Sequence, residues 1–399
     1  MKFTRQSFAS FAAVCLLASL AGRAVAQQEP IPISPTVVIT PGKTIPVSLD
    51  GFTGEVAAAL KFDLSVAGFD FVSPDQAVFQ ITGGNSGRVE GRVIERVSKV
   101  HLLGKAYTGG DPRRLAHALA DDIVLAITRQ RGVAQTHIAF KVETGRDAAG
   151  RKIGEIYLAD YDGHNAVPIT HDGAIVAAPC WVPGHRALCY TSYKPGTPAI
   201  FSHDLSSGVR KIVARYSGLN TSPAISPDGR RVAMILSKSG SPDLYVSDLD
   251  GDNLKQLTNT REEESSPCWS PDGRRICFAS KISGRAALYT VPATGGPMTR
   301  LSTAGVSNAT EPDWSPDSKT IVFTALLSDF HICTIPATGG QADILVAGED
   351  PSWAPNSRTL IITRRTRGSR VLSLLDVPTK RVKDIKQMSG NCSQPSWAR

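Results

Sequence analysis

The chain has 399 residues, 41% of them hydrophobic, with 44 Lys and Arg against 36 Asp and Glu and a net charge of +8. That length is too great for one ordinary core and points to two domains or a repeat array. The basic surplus is mild, scattered and not interleaved with an aromatic ladder, which argues against nucleic-acid binding and for a solvated surface.

Lys2 and Arg5 precede an apolar stretch from Phe8 to Leu20, and Ala24-Val25-Ala26 follows. A charged start, a short apolar middle and small residues two apart describe a secretory signal peptide over residues 1–26, cut after Ala26. Arg23 interrupts a stretch already shorter than the roughly 20 apolar residues a spanning helix needs. Cys15 lies inside the apolar core instead of ending it, which argues against a lipid anchor. The expected mature chain begins near Gln27, carries a net charge of about +5, is soluble and contains no transmembrane segment.

Residues 27–132 read as a small α/β domain. VVITPGKTIPVSLDGF reads as an extended strand, GEVAAALKFDLSVAG as a helix, FDFVSP as the start of another strand, and RVEGRVIERVSKVHLLGKAYTGG as two alternating strands. Asp111 can cap a final helix with Pro112 at its first position; Leu115, Leu119, Ile123 and Ile127 fall four apart on one face, and Gly132 follows the end.

From residue 133 a repeat takes over. APCWVPGH, SPAISPDG, SPCWSPDG, EPDWSPDS, DPSWAPNS and QPSWAR place Pro179, Pro223, Pro267, Pro312, Pro351 and Pro395 at intervals of 44, 44, 45, 39 and 44 residues. Every tryptophan, Trp181, Trp269, Trp314, Trp353 and Trp397, lies two residues after one of these prolines, and Ile225 fills the remaining slot. Each unit reads as four strands joined as a meander, the content of one propeller blade. A blade cannot bury both faces alone, so the tryptophans are expected to pack blade against blade. The last unit stops after one strand at Arg399, while HIAFKVE, EIYLADYDG and AVPIT near residue 137 supply the three it lacks. The expected fold is therefore an α/β N-terminal domain plus an all-β six-bladed β-propeller over 133–399, closed by pairing the C-terminal strand with the first blade segment. Such closure leaves no open edge.

Cys180 and Cys189 stand nine apart, as do Cys268 and Cys277, at matching phases of the repeat. Each pair could bridge neighbouring strands or consist of buried free thiols. Catalytic signals are missing: Pro41-Gly42-Lys43-Thr44 lacks the earlier glycine of a phosphate loop, and no Gly-x-Ser-x-Gly, His-Glu-x-x-His or Cys-x-x-Cys occurs. Asp228, Asp272 and Asp317 share one phase in hairpin turns and read as turn formers. His164 and His171 read as solvated. The chain is expected to be non-enzymatic, with no catalytic residue, cofactor or metal. The alternatives are an exported propeller binding another protein or a polysaccharide, or a hydrolase or lyase with a site in the channel.

SPAISPDGRRVAMILSKSGSPDLYVSDLDGDNLKQLT and NATEPDWSPDSKTIVFTA resemble blades of the TolB family, and LAHALADDIVLAITRQRGVAQTHIAF resembles the helix and junction leading into that family's propeller. The resemblance implies a monomeric periplasmic component of the Tol-Pal system, which maintains outer-membrane integrity and constriction during division. It implies binding of the lipoprotein Pal at one mouth of the ring and of TolA by the mature N-terminus. Carried over by position, the Pal-facing residues are Leu219, Asn220, Ser222, Ser265, Thr310 and Glu311, and the TolA-binding ones Gln27, Gln28 and Glu29. Leu219 stands where the family commonly has His, and Ser222 replaces a small apolar residue, which implies altered Pal recognition or a divergent Pal.

Overall fold

The computed structural model describes residues 42–399; the expected signal peptide and Gln27, Gln28 and Glu29 lie outside the described residues. The N-terminal sheet comprises Ile45–Asp50 (β1), Phe69–Phe71 (β2), Phe79–Gly84 (β3), Val89–Glu95 (β4) and His101–Tyr107 (β5), in the order β2-β1-β3-β4-β5. Gly54–Val66 (α1) joins β1 to β2, which run parallel as a helical crossover requires. Pro112–Thr128 (α2) follows the sheet and packs on α1, β4 and β5.

Two local features depart from the sequence reading. The central strand β3, FQITGG, is not among the elements expected from the sequence, and glycine is a weak strand former. Its Gly83 is needed for close approach: an added Cβ would lie 2.0 Å from the Glu90 carbonyl oxygen. Asp111 does cap α2, accepting from the Arg113 amide at 3.2 Å, but the helix ends on Arg129 in the left-handed conformation (φ 61°). Gly132 serves another purpose: the chain there crosses α2 so closely that a Cβ would lie 2.1 Å from Asp121 Oδ1.

Six four-stranded sheets form the propeller. Five have their first strands at Val176–Trp181, Asn220–Ile225, Glu264–Trp269, Ala309–Trp314 and Glu349–Trp353. The sixth is composite: Asn391–Trp397 pairs antiparallel with His137–Arg146, which continues into Lys152–Asp160 and Val167–Pro168. The core lies between blades, as when Ala233, Leu244 and Val246 of one blade meet Trp269, Ile276 and Phe278 of the next.

The tryptophans also stitch blades by hydrogen bonds. Trp181, Trp269 and Trp353 donate from Nε1 to the carbonyls of Ser396, Ala224 and Asp313 in the preceding blade, at 3.0, 2.9 and 3.2 Å. Trp314 turns to Ser318 of its own hairpin at 3.4 Å. At the seam Trp397 donates to Thr136 Oγ1 at 2.7 Å. In the hairpins Ser226, Ser270 and Ser315 donate to Asp228, Asp272 and Asp317 at 2.5, 2.6 and 2.6 Å, which accounts for those carboxylates as turn formers.

The N-terminal domain docks on one end of the ring. Arg381 reaches the Phe69 carbonyl at 3.3 Å, and Gly68 lies against Arg358 and Asp376. These propeller residues belong to turns that follow first or third strands. Because strands alternate in direction, the loops entering first strands and those joining second to third strands all lie on the opposite face.

Candidate functional site

The face away from the N-terminal domain carries the loops singled out from the sequence. Ser265 is exposed and Thr310 half-buried at the starts of neighbouring blades. Leu219 is half-buried, its amide bound to Ser237 Oγ at 2.7 Å. Asn220 is fully buried, with Nδ2 donating to the Tyr216 and Gly218 carbonyls at 2.8 and 3.2 Å; it holds its loop closed and presents nothing to a partner. Beside these positions Ile282, Leu326 and Leu327 are 42, 42 and 38% exposed on the hairpins of the same two blades. Arg146, Arg215, Arg261, Arg285, Arg367 and Lys386 are exposed on this face, against Glu262, Glu263 and Asp329 of opposite sign. Exposed basic side chains thus outnumber exposed acidic ones among the residues named on this face.

Deeper in the channel, every first strand is interrupted at the same place. Ala178, Ser222, Ser266, Glu311, Asp350 and Gln394, each preceding one of the six prolines, have φ between 50 and 54°. The strand register shifts at each of these points. Proline has no N–H to give the ladder and is accommodated by a bulge. A left-handed residue before proline goes against the ordinary preference of both.

On one side of the ring the bulge side chains form a relay. Glu311 Oε2 accepts from the Asp350 amide, Asp350 Oδ2 from the Gln394 amide, and Gln394 Oε1 from the Ala178 amide, each at 3.0 Å. Burial, reinforced by the Glu311 carboxylate, pushes the Asp350 carboxyl up to about 7. Of the six residues expected at the partner site, Ser222 and Glu311 belong to this ring. Ala178, Ser266, Asp350 and Gln394 occupy the same repeat phase and were missed; the residue before each proline was the available signal.

The ring lines a cavity of about 550 Å³ that continues toward Pro183, Pro227, Pro271 and Pro316. Those prolines sit in turns after first strands, so the cavity faces the N-terminal-domain end, away from Ser265 and Thr310. At its border Arg399 bonds Asp313 and, at 3.2 Å, the Trp353 carbonyl, tying the C-terminus across two blades. Among the described residues, no group of three or more His, Cys, Asp or Glu is placed to hold a metal ion.

A family model described as the TolB beta propeller domain (PD40) matches residues 124–399. The chain belongs to the TolB β-propeller family. The Tol-Pal system protein TolB of Nitrosococcus oceani is 32% identical over 142 residues, 35% of this chain and 32% of that protein. Its counterpart from Bordetella pertussis is 34% identical over 164 residues, 40% of this chain and 35% of that protein. The matched part thus spans about a third of the length of these curated relatives. The crystal structure of TolB from Acinetobacter baumannii shares the fold, with a TM-score of 0.80 over 90% of this chain and 97% of that one, at 22% identity.

In this TolB-family chain a buried charged cluster joins the N-terminal domain to the ring. His117 of α2 contacts Asp63 of α1 through Nδ1 at 2.8 Å and Asp162 of the propeller through Nε2 at 3.4 Å. Arg113, one turn earlier, bonds Asp162 through Nε at 3.0 Å, and Tyr161 donates to Asp63 at 2.5 Å while stacking on Trp397. Burial works against charge on His117, but the neighbouring carboxylates of Asp162 and Asp63 prevail and raise it to about 10. Asp162 is held well below the carboxylate range: burial opposes this, but His117 and Arg113 prevail. No sequence motif marked these residues, because partners such as Arg113 and Asp162, or Asp63 and Tyr161, lie 49 and 98 positions apart.

Proposed function

We propose that the chain is an exported, periplasmic protein-binding scaffold of a Tol-Pal system, acting without catalysis to maintain outer-membrane integrity and constriction. A Pal-like lipoprotein docks on the ring face opposite the N-terminal domain, and a TolA-like protein engages the start of the mature chain at Gln27, Gln28 and Glu29. The observation that carries the docking proposal is the composition of that face: exposed Ile282, Leu326 and Leu327 beside Ser265 and Thr310, with exposed basic side chains outnumbering acidic ones. The apolar side chains supply contact energy and the basic ones steer an acidic partner. Ser222 and Glu311 lie further down the channel, within reach of a segment inserted through the mouth, and Leu219 and Asn220 support the rim.

The test is direct binding of the chain to the periplasmic domain of a Pal-like lipoprotein. Ile282→Asp and Leu326→Asp are expected to weaken binding roughly tenfold each with melting temperature unchanged. Raising salt from about 0.05 to about 0.3 M is expected to slow association. Undetectable binding by the unaltered chain, or variants that bind as well as it does, would overturn the proposal.

A further inference from the structure

The repeat supplies an internal comparison at the residue after each inner proline and the one facing it on the second strand. The six facing pairs are Cys180/Cys189, Ala224/Ala233, Cys268/Cys277, Asp313/Val322, Ser352/Ile361 and Ser396/Ala139. Cysteine takes both members of a pair or neither. The remaining described cysteines, Cys333 and Cys392, face no cysteine.

Directly opposed residues of an antiparallel pair project to the same face. The Val182 amide bonds the Ala187 carbonyl at 3.0 Å and the Ser270 amide the Arg275 carbonyl at 2.9 Å. Two residues along the ladder, both cysteine pairs therefore fall at hydrogen-bonded sites, where Cα atoms stand about 5.5 Å apart. That lies inside the Cα window of about 4.4–6.8 Å that a disulfide spans, and the opposed Cβ atoms, about 4.5–5.5 Å apart in an open ladder, have to draw in to the roughly 3.5–4.5 Å it needs. The structure carries all four as thiols. Cys189 and Cys277 are fully buried, and burial pushes the Cys189 thiol up to about 12. Folded thiols so placed are poor nucleophiles. Any bond must form earlier, when the local hairpin has paired but neighbouring blades have not packed over it.

We propose that Cys180–Cys189 and Cys268–Cys277 are disulfide sites, closed during folding by exchange with a disulfide donor such as oxidised glutathione. One cysteine thiolate attacks the donor disulfide, forming a mixed disulfide and releasing one donor thiol. Its opposite cysteine then loses its proton, and its sulfur displaces the second donor thiol. The protein loses two hydrogens per bond and the donor gains them. Both bonds fasten an inner strand to its neighbour, with Cys180 and Cys268 lining the channel cavity. The inference is independent of what the ring binds and requires only that the chain meet a disulfide donor while it folds.

The test refolds the reduced, full-length chain in a mixture of reduced and oxidised glutathione, quenches with acid, alkylates free thiols and maps peptides by mass spectrometry. The expected result is linked 180/189 and 268/277 peptides with Cys333 and Cys392 alkylated. Reductant should then lower the melting temperature of the refolded protein by on the order of 5 °C. It should not move that of a variant with all four residues changed to Ala, a pairing the fold already accepts at Ala224/Ala233. Alkylation of all these cysteines in the folded product, or bonds shared with Cys333 or Cys392, would overturn the proposal.

Discussion

At the six inner-strand bulges the backbone is left-handed without a single glycine, a conformation costing about 1–2 kcal/mol per ordinary residue. What offsets that cost at Glu311, Asp350 and Gln394 is visible: each side chain receives the amide of the next blade's bulge. The arrangement crowds carboxylates, with the charges of Glu311 and Glu349 both acting on Asp350, and Arg365 and Arg370 hydrogen-bond to Glu349. Asp350 has its folded pKa raised, to about 7, so the folded state holds the proton more tightly than the unfolded chain. Its contribution is fully present below about pH 4 and is lost as pH rises through about 7. Asp350→Asn, which can still accept from Gln394, should raise the melting temperature by about 2–4 °C at pH 8 and leave it unchanged at pH 4. Melting curves across pH check this, and parallel pH profiles for the two proteins would reject it.

The helix α2 has two uses for one face. Leu119, Ile123 and Ile127 are buried against the sheet and α1, while Arg113 and His117, at the helix's start, are buried against Asp162 of the propeller, with His117 also on Asp63 of α1. Buried charges are tolerable only when matched, and removing one partner from such a set costs about 3–5 kcal/mol. His117→Ala leaves Asp63 without its cation and should lower the melting temperature accordingly, with the loss appearing at the junction of the two domains. The folded pKa of His117 is raised, so its contribution is present below about pH 6.5 and disappears as pH rises through about 10. Melting followed from pH 7 to pH 10.5 should fall more steeply for the unaltered chain than for His117→Ala, converging at the alkaline end.

On the scale of the whole molecule, stability depends on a seam made from residues over two hundred positions apart. Asn391–Trp397 supplies the inner strand of the composite blade, and Trp397 and Arg399 bind Thr136 and Asp313 across it. Deleting residues 391–399 removes the strand and exposes the ladder edge of His137–Arg146, so the ring should open into a species prone to self-association and not settle as a smaller propeller. Size-exclusion chromatography with circular dichroism checks this; a monomeric truncation with unchanged melting would refute the account.

Regular spacing made the ring legible in advance: the prolines and tryptophans recur because every blade solves the same packing problem, so blade number and the turn role of Asp228, Asp272 and Asp317 could be read from residues a few dozen positions apart, and composite closure from the three-strand segment that precedes the first of these prolines. The strand β3 was not legible because glycine is a weak strand former, and the need for Gly83 shows only once the Glu90 carbonyl is seen pressing against it. Asn220 was taken for a contact residue because sequence gives a loop's position but not which way its side chains point. Sequence by itself determined the architecture, since repeats and hydrophobic periods are local properties of the chain. Only the tertiary structure decided which basic side chains share a face, which bulge residues speak to one another and how Asp63, His117 and Asp162 meet, because electrostatics depends on distances in space that spacing along the chain does not encode.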